Sequence, residues 1–267
     1  MRHVVSLSSG VGSAVAAKRV ADIHGIDNLT LLFADVNMEH PDNYRFLGDV
    51  VEWIGAPLVT LDNDGKTIWD VFREQRFLGN TRVDLCSRVL KRKPLRRWLE
   101  ENCDPGDTTI HLGFDISEEH RIHRAAPHWE PWQVTAPLCW EPVIWKDQAI
   151  EMLATAGIEA PWLTREGFPH ANCGGGCVKA GIGQFVKLHE KAPLTYAQWD
   201  ANEREIRRDL GKNVSILRDR RGGQTKPLTL SMLRYRMGDT RTLTEMLADD
   251  PGDSCNCMGD YGDEGDG

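Results

Sequence analysis

Two sets of residues in this chain have types and spacings suited to chemistry. The first is Ser8-Ser9-Gly10-Val11-Gly12-Ser13, which follows the apolar run His3-Val4-Val5-Ser6-Leu7 and precedes a segment rich in Ala, Val and Lys. Small residues between a strand and a helix leave backbone N–H groups free to face an anion, and the helix dipole favours negative charge there. A phosphate is the ligand this predicts, although the same glycines also suit a plain strand-to-helix turn. The second set is cysteine. Cys173 and Cys177 flank three glycines in "HANCGGGCVKAG", and Cys86 opens a basic helix in "DLCSRVLKRKPLRRWLEE" beside Arg88, Lys91, Arg92 and Lys93. Glycines let a backbone fold around a metal centre and offer N–H groups to sulfur, so the Cys-x3-Cys hairpin reads as half of a cluster or zinc site. The basic neighbours of Cys86 favour a thiolate or an anionic cluster.

Four further cysteines complete the seven. Cys139, in "APLCWEP", reads first as a core cysteine and second as a fourth ligand. Cys103 lies near a turn with no evident partner. Cys255 and Cys257 form "SCNC" in an acidic, Gly-rich tail that composition predicts to be flexible. Residues 249–267 carry seven acids and no base, which accounts for most of the net charge of −8 and leaves the body close to neutral. Within that body, residues 204–241 hold eleven Lys or Arg against four acids. Such a stretch suits phosphates or a nucleic-acid backbone, or is a solvated helix face. No apolar run reaches the roughly eighteen residues a membrane span requires. The N-terminus imitates a signal peptide only superficially, because Ser6, Ser8 and Ser9 interrupt its apolar part. A cytoplasmic location is expected, where cysteines serve as metal ligands or redox groups rather than disulfides.

These residues need elements to position them. "LTLLFADV" (29–36), "APLVTLD" (56–62) and "TTIHLGF" (108–114) read as strands, with helices over "NYRFLGDVVEWIG" and "PLRRWLEEN" between them. The alternation predicts an α/β fold, a Rossmann-like parallel sheet with helices on both faces, in residues 1–128. Ligands of such sheets bind beyond the carboxyl ends of the strands, which is where Ser8–Ser13, Asp35 and Asp115 fall. Residues 129–190 form a Trp- and Pro-rich segment of the same domain and carry the later cysteines. Residues 191–248 read as a mainly helical, basic region, and 249–267 as the tail.

In this order the motifs resemble the PP-loop, or adenine-nucleotide α-hydrolase-like, superfamily, specifically its phosphoadenosine phosphosulfate (PAPS) reductase branch. "SSGVGS" is similar to the SGGxDS phosphate loop. "FADVNMEHPDNYRFL" resembles the aspartate-then-glutamate stretch after the second strand, with Asp35, Glu39 and Tyr44 in matching places. "LCSRVLKRKPLRRWL", "GFDISEEHR", "APLCWEPVIWKDQAIEML" and "GFPHANCGGGC" resemble the branch's later segments, over residues 3 to 200. Ser9 replaces the first loop glycine, Gly12 an aspartate of the ATP-cleaving members, and Asp115 an arginine of the reductases. The resemblance implies an adenine nucleotide, ATP among them, on Ser8, Ser9, Gly10, Val11, Gly12, Ser13 and Asp35, with Mg2+ as a companion ion. It also implies a [4Fe–4S] cluster, or zinc, on Cys86, Cys173 and Cys177, with Cys139 or a tail cysteine as fourth ligand.

Three functions follow as expectations. The first is ATP-dependent sulfur transfer to a nucleic acid or nucleotide, with Lys91, Arg92 and Arg121 offsetting phosphate charge, Glu118 as base or metal ligand unless it serves first as a salt-bridge partner of Arg121, and the 204–241 stretch on nucleic acid. The second is a sulfonucleotide reductase releasing sulfite, with Cys255 or Cys257 as the nucleophile. The third is a nucleotide-binding interaction module without turnover. A sulfur or electron donor protein and a homodimer are the expected partners.

Overall fold

The computed structural model describes residues 1–79 and 85–250. The expected flexible tail beyond Asp250, including Cys255 and Cys257, lies outside the described residues. Five strands, β1 (Arg2–Ser6), β2 (Leu29–Ala34), β3 (Leu58–Leu61), β4 (Thr108–His111) and β5 (Gln133–Thr135), form one sheet. Their order is β3-β2-β1-β4-β5, and each neighbouring pair is parallel. This is an α/β Rossmann-like fold. Successive residues of β1 and β2 are buried on opposite faces. Val5, Leu31 and Phe33 pack on α1 (Val11–His24), α2 (Pro41–Ile54) and α7 (Lys146–Thr155). Val4, Leu32 and Ala34 pack on α5 (Lys93–Asn102) and α6 (Glu119–Ala125). Burial on both faces is why Val4-Val5 of β1 and Leu31–Ala34 of β2 are consecutive apolar residues.

A third core stands apart from the sheet, around the buried Trp199, Tyr196, Phe185 and Phe72. It joins α3 (Ile68–Glu74) and α4 (Leu85–Ser87) to α8 (Trp162–Arg165), α9 (Ile182–Lys191), α10 (Pro193–Leu210), α11 (Leu230–Arg236) and α12 (Thr240–Ala248). Cys86, Cys173 and Cys177 belong to this core. A short antiparallel hairpin, β6 (Leu217–Asp219) with β7 (Lys226–Leu228), interrupts the stretch read as mainly helical. The fifth sheet strand was also not legible, being only three residues long among prolines and tryptophans.

The expected boundaries differ at the two places that matter most. Helix α1 begins at Val11, inside the small-residue loop rather than after it, with the Ala14 N–H donating to Gly10 O at 3.2 Å. Strand β4 ends at His111, short of the apolar Leu112 and Phe114. Both changes bring Gly12 and Gly113 together. A Cβ on Gly12 would lie 2.6 Å from Gly113 O, and one on Gly113 would lie 2.5 Å from Ser13 Cα.

At the start of β1 and the end of β4, His3 and His111 are buried side by side, and the exposed His24 covers them. His3 Nδ1 lies 3.0 Å from His111 Nε2, His111 Nδ1 lies 2.8 Å from Thr135 Oγ1, and the His24 ring stacks on His3 at 4.0 Å. Burial, with His3 and His24 nearby, pushes the pKa of His111 down to about 3, and burial lowers that of His3 too. Between the ordinary histidine pKa and about 3, the unfolded chain takes up a proton that folded His111 refuses. Stability is therefore complete above pH 6.5 and falls below it, by up to about 1.4 kcal/mol per pH unit. Urea unfolding followed from pH 7 to pH 4 should show this decline, and His111→Asn should flatten it.

Candidate nucleotide cleft and cysteine cavity

The sheet's strand order reverses at β1 and β4, and the segments that follow these two strands open a cleft of about 470 Å³. Ligands of open α/β sheets lie at such a reversal. Its floor is Ser6–Ser13, and its walls are Phe33 and Ala34, Leu112–Asp115, Glu118 and Arg121, and Phe168–Asn172, with Lys91 and Lys146 adding positive charge. No side chain caps the start of α1. Its first N–H groups, which have no acceptor within the helix, are left for a ligand. Ser13 organises this loop: its Oγ accepts the Ser8 N–H at 3.0 Å and contacts Ser8 Oγ at 2.9 Å, Ser8 O at 2.8 Å and Gly10 O at 3.0 Å. All six expected loop residues thus line one cleft.

Asp35 does not line it. Its Oδ1 accepts the Asn37 N–H at 2.8 Å and the Tyr44 O–H at 2.8 Å. Burial and this carboxylate push the Tyr44 pKa well above its usual range. Glu118 and Arg121 do line the cleft, paired with each other, and the Arg121 guanidinium stacks 4.4 Å from the Phe114 ring centroid. Asp115 accepts the Ser117 N–H at 2.9 Å, which starts the turn that carries Glu118.

Cys86, Cys173 and Cys177 line a second, apolar cavity together with Val36, Ile68, Val178, Ser87, Lys91 and Lys179. Cys86 is placed by a π-helical turn, Arg88–Arg92, that joins α4 to α5. The glycine triplet packs tightly: a Cβ would lie 3.0 Å from Met38 O at Gly174, 2.8 Å from Leu163 at Gly175 and 2.3 Å from Trp199 at Gly176. Cys173, with φ of +52°, starts this left-handed turn. Lys179 is 1% exposed, and its backbone N–H donates to Cys177 Sγ at 3.4 Å. Three thiol donors in apolar walls beside two buried lysines suit an anionic sulfur group. As they stand, no three His, Cys, Asp or Glu side chains among the described residues are gathered closely enough to hold a metal ion. Cys139 lies outside this cavity, with its thiol directed at Phe114 O at 3.7 Å and its pKa raised by burial and by Glu119. Cys103 is buried against the sheet, 3.8 Å from Arg2.

Lys91 lines both cavities, and its Nζ stands 3.6 Å from Glu39 Oε1. Glu39 is buried, which pushes its pKa up, while Lys91 and the Cys173 N–H at 2.9 Å oppose that shift. Sequence reasoning matched Glu39 to a family position but gave it no role, and it passed over Asn43, Lys146, His170 and Lys179. The Lys179 position directly after Cys-Val was a usable signal; nothing in the sequence marks Asn43.

The basic stretch is partly consumed by its own fold. Asp200 pairs with Arg204 and Arg234, Asp219 with Arg221 and Arg236, and Arg207 and Arg218 donate to backbone carbonyls. Arg208, Lys212, Lys226 and Arg241 remain exposed at the surface, and Arg204 and Arg234 are exposed as well as paired. Among the described residues, no helix is long and apolar enough to cross a membrane.

No protein-family profile matches the sequence, and no curated protein matches it either. Among solved structures, the chain is similar to phosphoadenylyl-sulfate (PAPS) reductase from Candida auris in a phosphate complex, at 14% identity over 65% of this chain and 81% of that one, with a TM-score of 0.46. It is similar to U34-tRNA thiolase NcsA from Methanococcus maripaludis with its [4Fe-4S] cluster, at 16% identity over 77% and 72%, with a TM-score of 0.46. NMN synthetase from Francisella tularensis is 15% identical over 59% of this chain and 62% of that one, with a TM-score of 0.43.

Gly12→Ala should lower stability by about 1–3 kcal/mol, because the Gly113 carbonyl that its Cβ would strike is backbone. Gly176→Ala should cost a similar amount against Trp199. Thermal unfolding measures both, and Gly48→Ala, where a Cβ meets nothing within 4 Å, is the control.

Proposed function

We propose that this chain is an enzyme that binds an adenine nucleotide in the cleft and transfers sulfur, with ATP, to a carbonyl carbon of a nucleic acid or nucleotide. The observation that supports this most is Lys91, which lines the phosphate-loop cleft and the three-cysteine cavity at once. In this reading, phosphate activation and sulfur chemistry would share a wall. The α1 N-terminus and the Ser8–Ser13 loop would hold the nucleotide phosphates. The carbonyl oxygen of the substrate attacks the α-phosphorus and pyrophosphate leaves; a sulfur nucleophile at the level of hydrosulfide then adds to the carbon, and AMP leaves with the oxygen. The sequence is redox-neutral. Lys91, Arg121 and Lys146 offset the charge that develops on phosphate. Gly12 leaves no carboxylate on the loop for magnesium; of the cleft acids Glu39, Asp115 and Glu118, Glu39 is paired with Lys91, and Asp115 and Glu118 would serve the ion. Cys86, Cys173 and Cys177 would hold a [4Fe–4S] cluster, which supplies a site for sulfide when bound; Lys91 and Lys179 would balance its charge. The exposed arginines and lysines of residues 204–241 would contact the nucleic-acid backbone, making binding weaker as salt rises.

A second reading is sulfonucleotide reduction, and one contact favours it. Asp250 Oδ2 accepts the Ile182 N–H at 2.6 Å, five residues after Cys177 in sequence, so the chain beyond Asp250 starts beside the cysteine segment. Cys255 lies five residues further, within about 17 Å of extended chain. Its thiolate would attack the sulfur of adenylyl sulfate and release AMP. A second thiol, Cys257 or that of a donor protein, would then attack the cysteine sulfur, release sulfite and leave a disulfide.

Anaerobic purification with iron, zinc and sulfide analysis tests the first reading. About four iron and four sulfide per chain, lost in Cys86→Ala, is the expected result; one zinc without sulfide overturns the cluster. Changing Cys255 and Cys257 together to serine should leave sulfur transfer intact. Sulfite release from adenylyl sulfate that disappears in this variant would establish the second reading instead.

A further inference from the structure

The two cavities are connected by a chain of hydrogen bonds as well as by Lys91. Asn43 is buried in α2, and its Nδ2 donates to Ala171 O at 2.7 Å and to Ser9 Oγ at 3.0 Å, with Glu39 Oε2 at 3.3 Å. The same Glu39 oxygen accepts the Cys173 N–H at 2.9 Å. Cys173 has a φ of +52°, a left-handed conformation that is costly for a residue with a Cβ. The Glu39 carboxylate is thus the acceptor that fixes the strained end of the cysteine loop. At the other end of the chain, Ser9 Oγ accepts from Asn43, which leaves its own proton to be donated into the cleft that Ser9 lines.

An anion that takes the Ser9 proton polarises the hydroxyl and strengthens its bond from Asn43. The two Asn43 protons serve three acceptors, so a tighter bond to Ser9 redistributes what Ala171 O and Glu39 receive. We propose that Asn43 and Glu39 are positioning residues that couple anion occupancy of the Ser8–Ser13 loop to the backbone geometry of Cys173. The cysteine cavity is then set differently when the cleft is filled. This rests on the loop being the anion site of the function above, and it is independent of which chemistry the cysteines perform. Linkage makes the coupling reciprocal, so a group bound by the cysteines alters anion affinity by the same factor.

Hydrogen–deuterium exchange on the full chain reads both ends, with inorganic pyrophosphate as the probe. In the wild-type chain, saturating pyrophosphate should slow exchange in peptides covering 8–14 and also change the rate in 171–177, by on the order of fivefold or more. In Asn43→Leu, and in Asn43→Ala as a second variant in case the first does not fold, the response at 8–14 should persist and that at 171–177 should vanish. A response at 171–177 that survives in a folded variant overturns the coupling. So does a wild-type chain that responds at 8–14 alone, although the anion site then stands. A wild-type chain with no response at 8–14 overturns the anion site and the coupling with it.

Discussion

Both cavities depend on burying Glu39. An ionised carboxylate taken out of water is expensive to accommodate unless it is paired and hydrogen-bonded, and the raised pKa of this group reflects that cost. Its partners come from three separate segments: Lys91 from the π-helical turn, the Cys173 N–H from the glycine loop and Asn43 from α2. Satisfying one side chain therefore brings together the end of the second strand, the basic helix and the later cysteine pair. Each of the three partners favours the ionised carboxylate in the wall between the cleft and the cysteine cavity.

The phosphate loop is built under a different constraint, the approach of two backbones. Gly12 sits on Gly113 because the start of α1 and the segment after β4 meet without a side chain between them. Any side chain at the position of Gly12 would collide with the Gly113 carbonyl, so packing keeps an acid off the loop there. The loop is left to act through N–H groups and serine hydroxyls, and charge reaches the cleft from Lys91, Arg121 and Lys146 instead.

Much of this arrangement was legible in the sequence, and the rest was not for physical reasons. Apolar strands alternating with helices betrayed a parallel sheet, and Ser8–Ser13 together with Cys86, Cys173 and Cys177 stood out by composition. The convergence of those three cysteines on one cavity depends on a third core around Trp199, whose contacts span most of the chain and leave no local pattern. Asn43 looked like an ordinary helix residue, since its importance lies in acceptors at Ser9 and Ala171 that are far apart in sequence. Basic residues between Arg204 and Arg241 suggested a continuous charged face. The buried Asp200 and Asp219 claim several of them, which a charge count cannot reveal.

The π-helical turn between α4 and α5 has a consequence for how this site can vary. There the Lys93 N–H donates to Arg88 O, five residues back, so the turn holds more residues than an α-helical turn would. In an α-helix each residue rotates the face by about 100°, so loss of a single residue from Arg88–Arg92 would swing Cys86 away from Cys173 and Cys177 while Leu95 and Leu99 stayed seated under the sheet. Direction of the thiol and anchorage of the helix are thereby set by separate stretches of sequence. The chain can re-aim its sulfur by a change of length, without disturbing the sheet that holds the cleft.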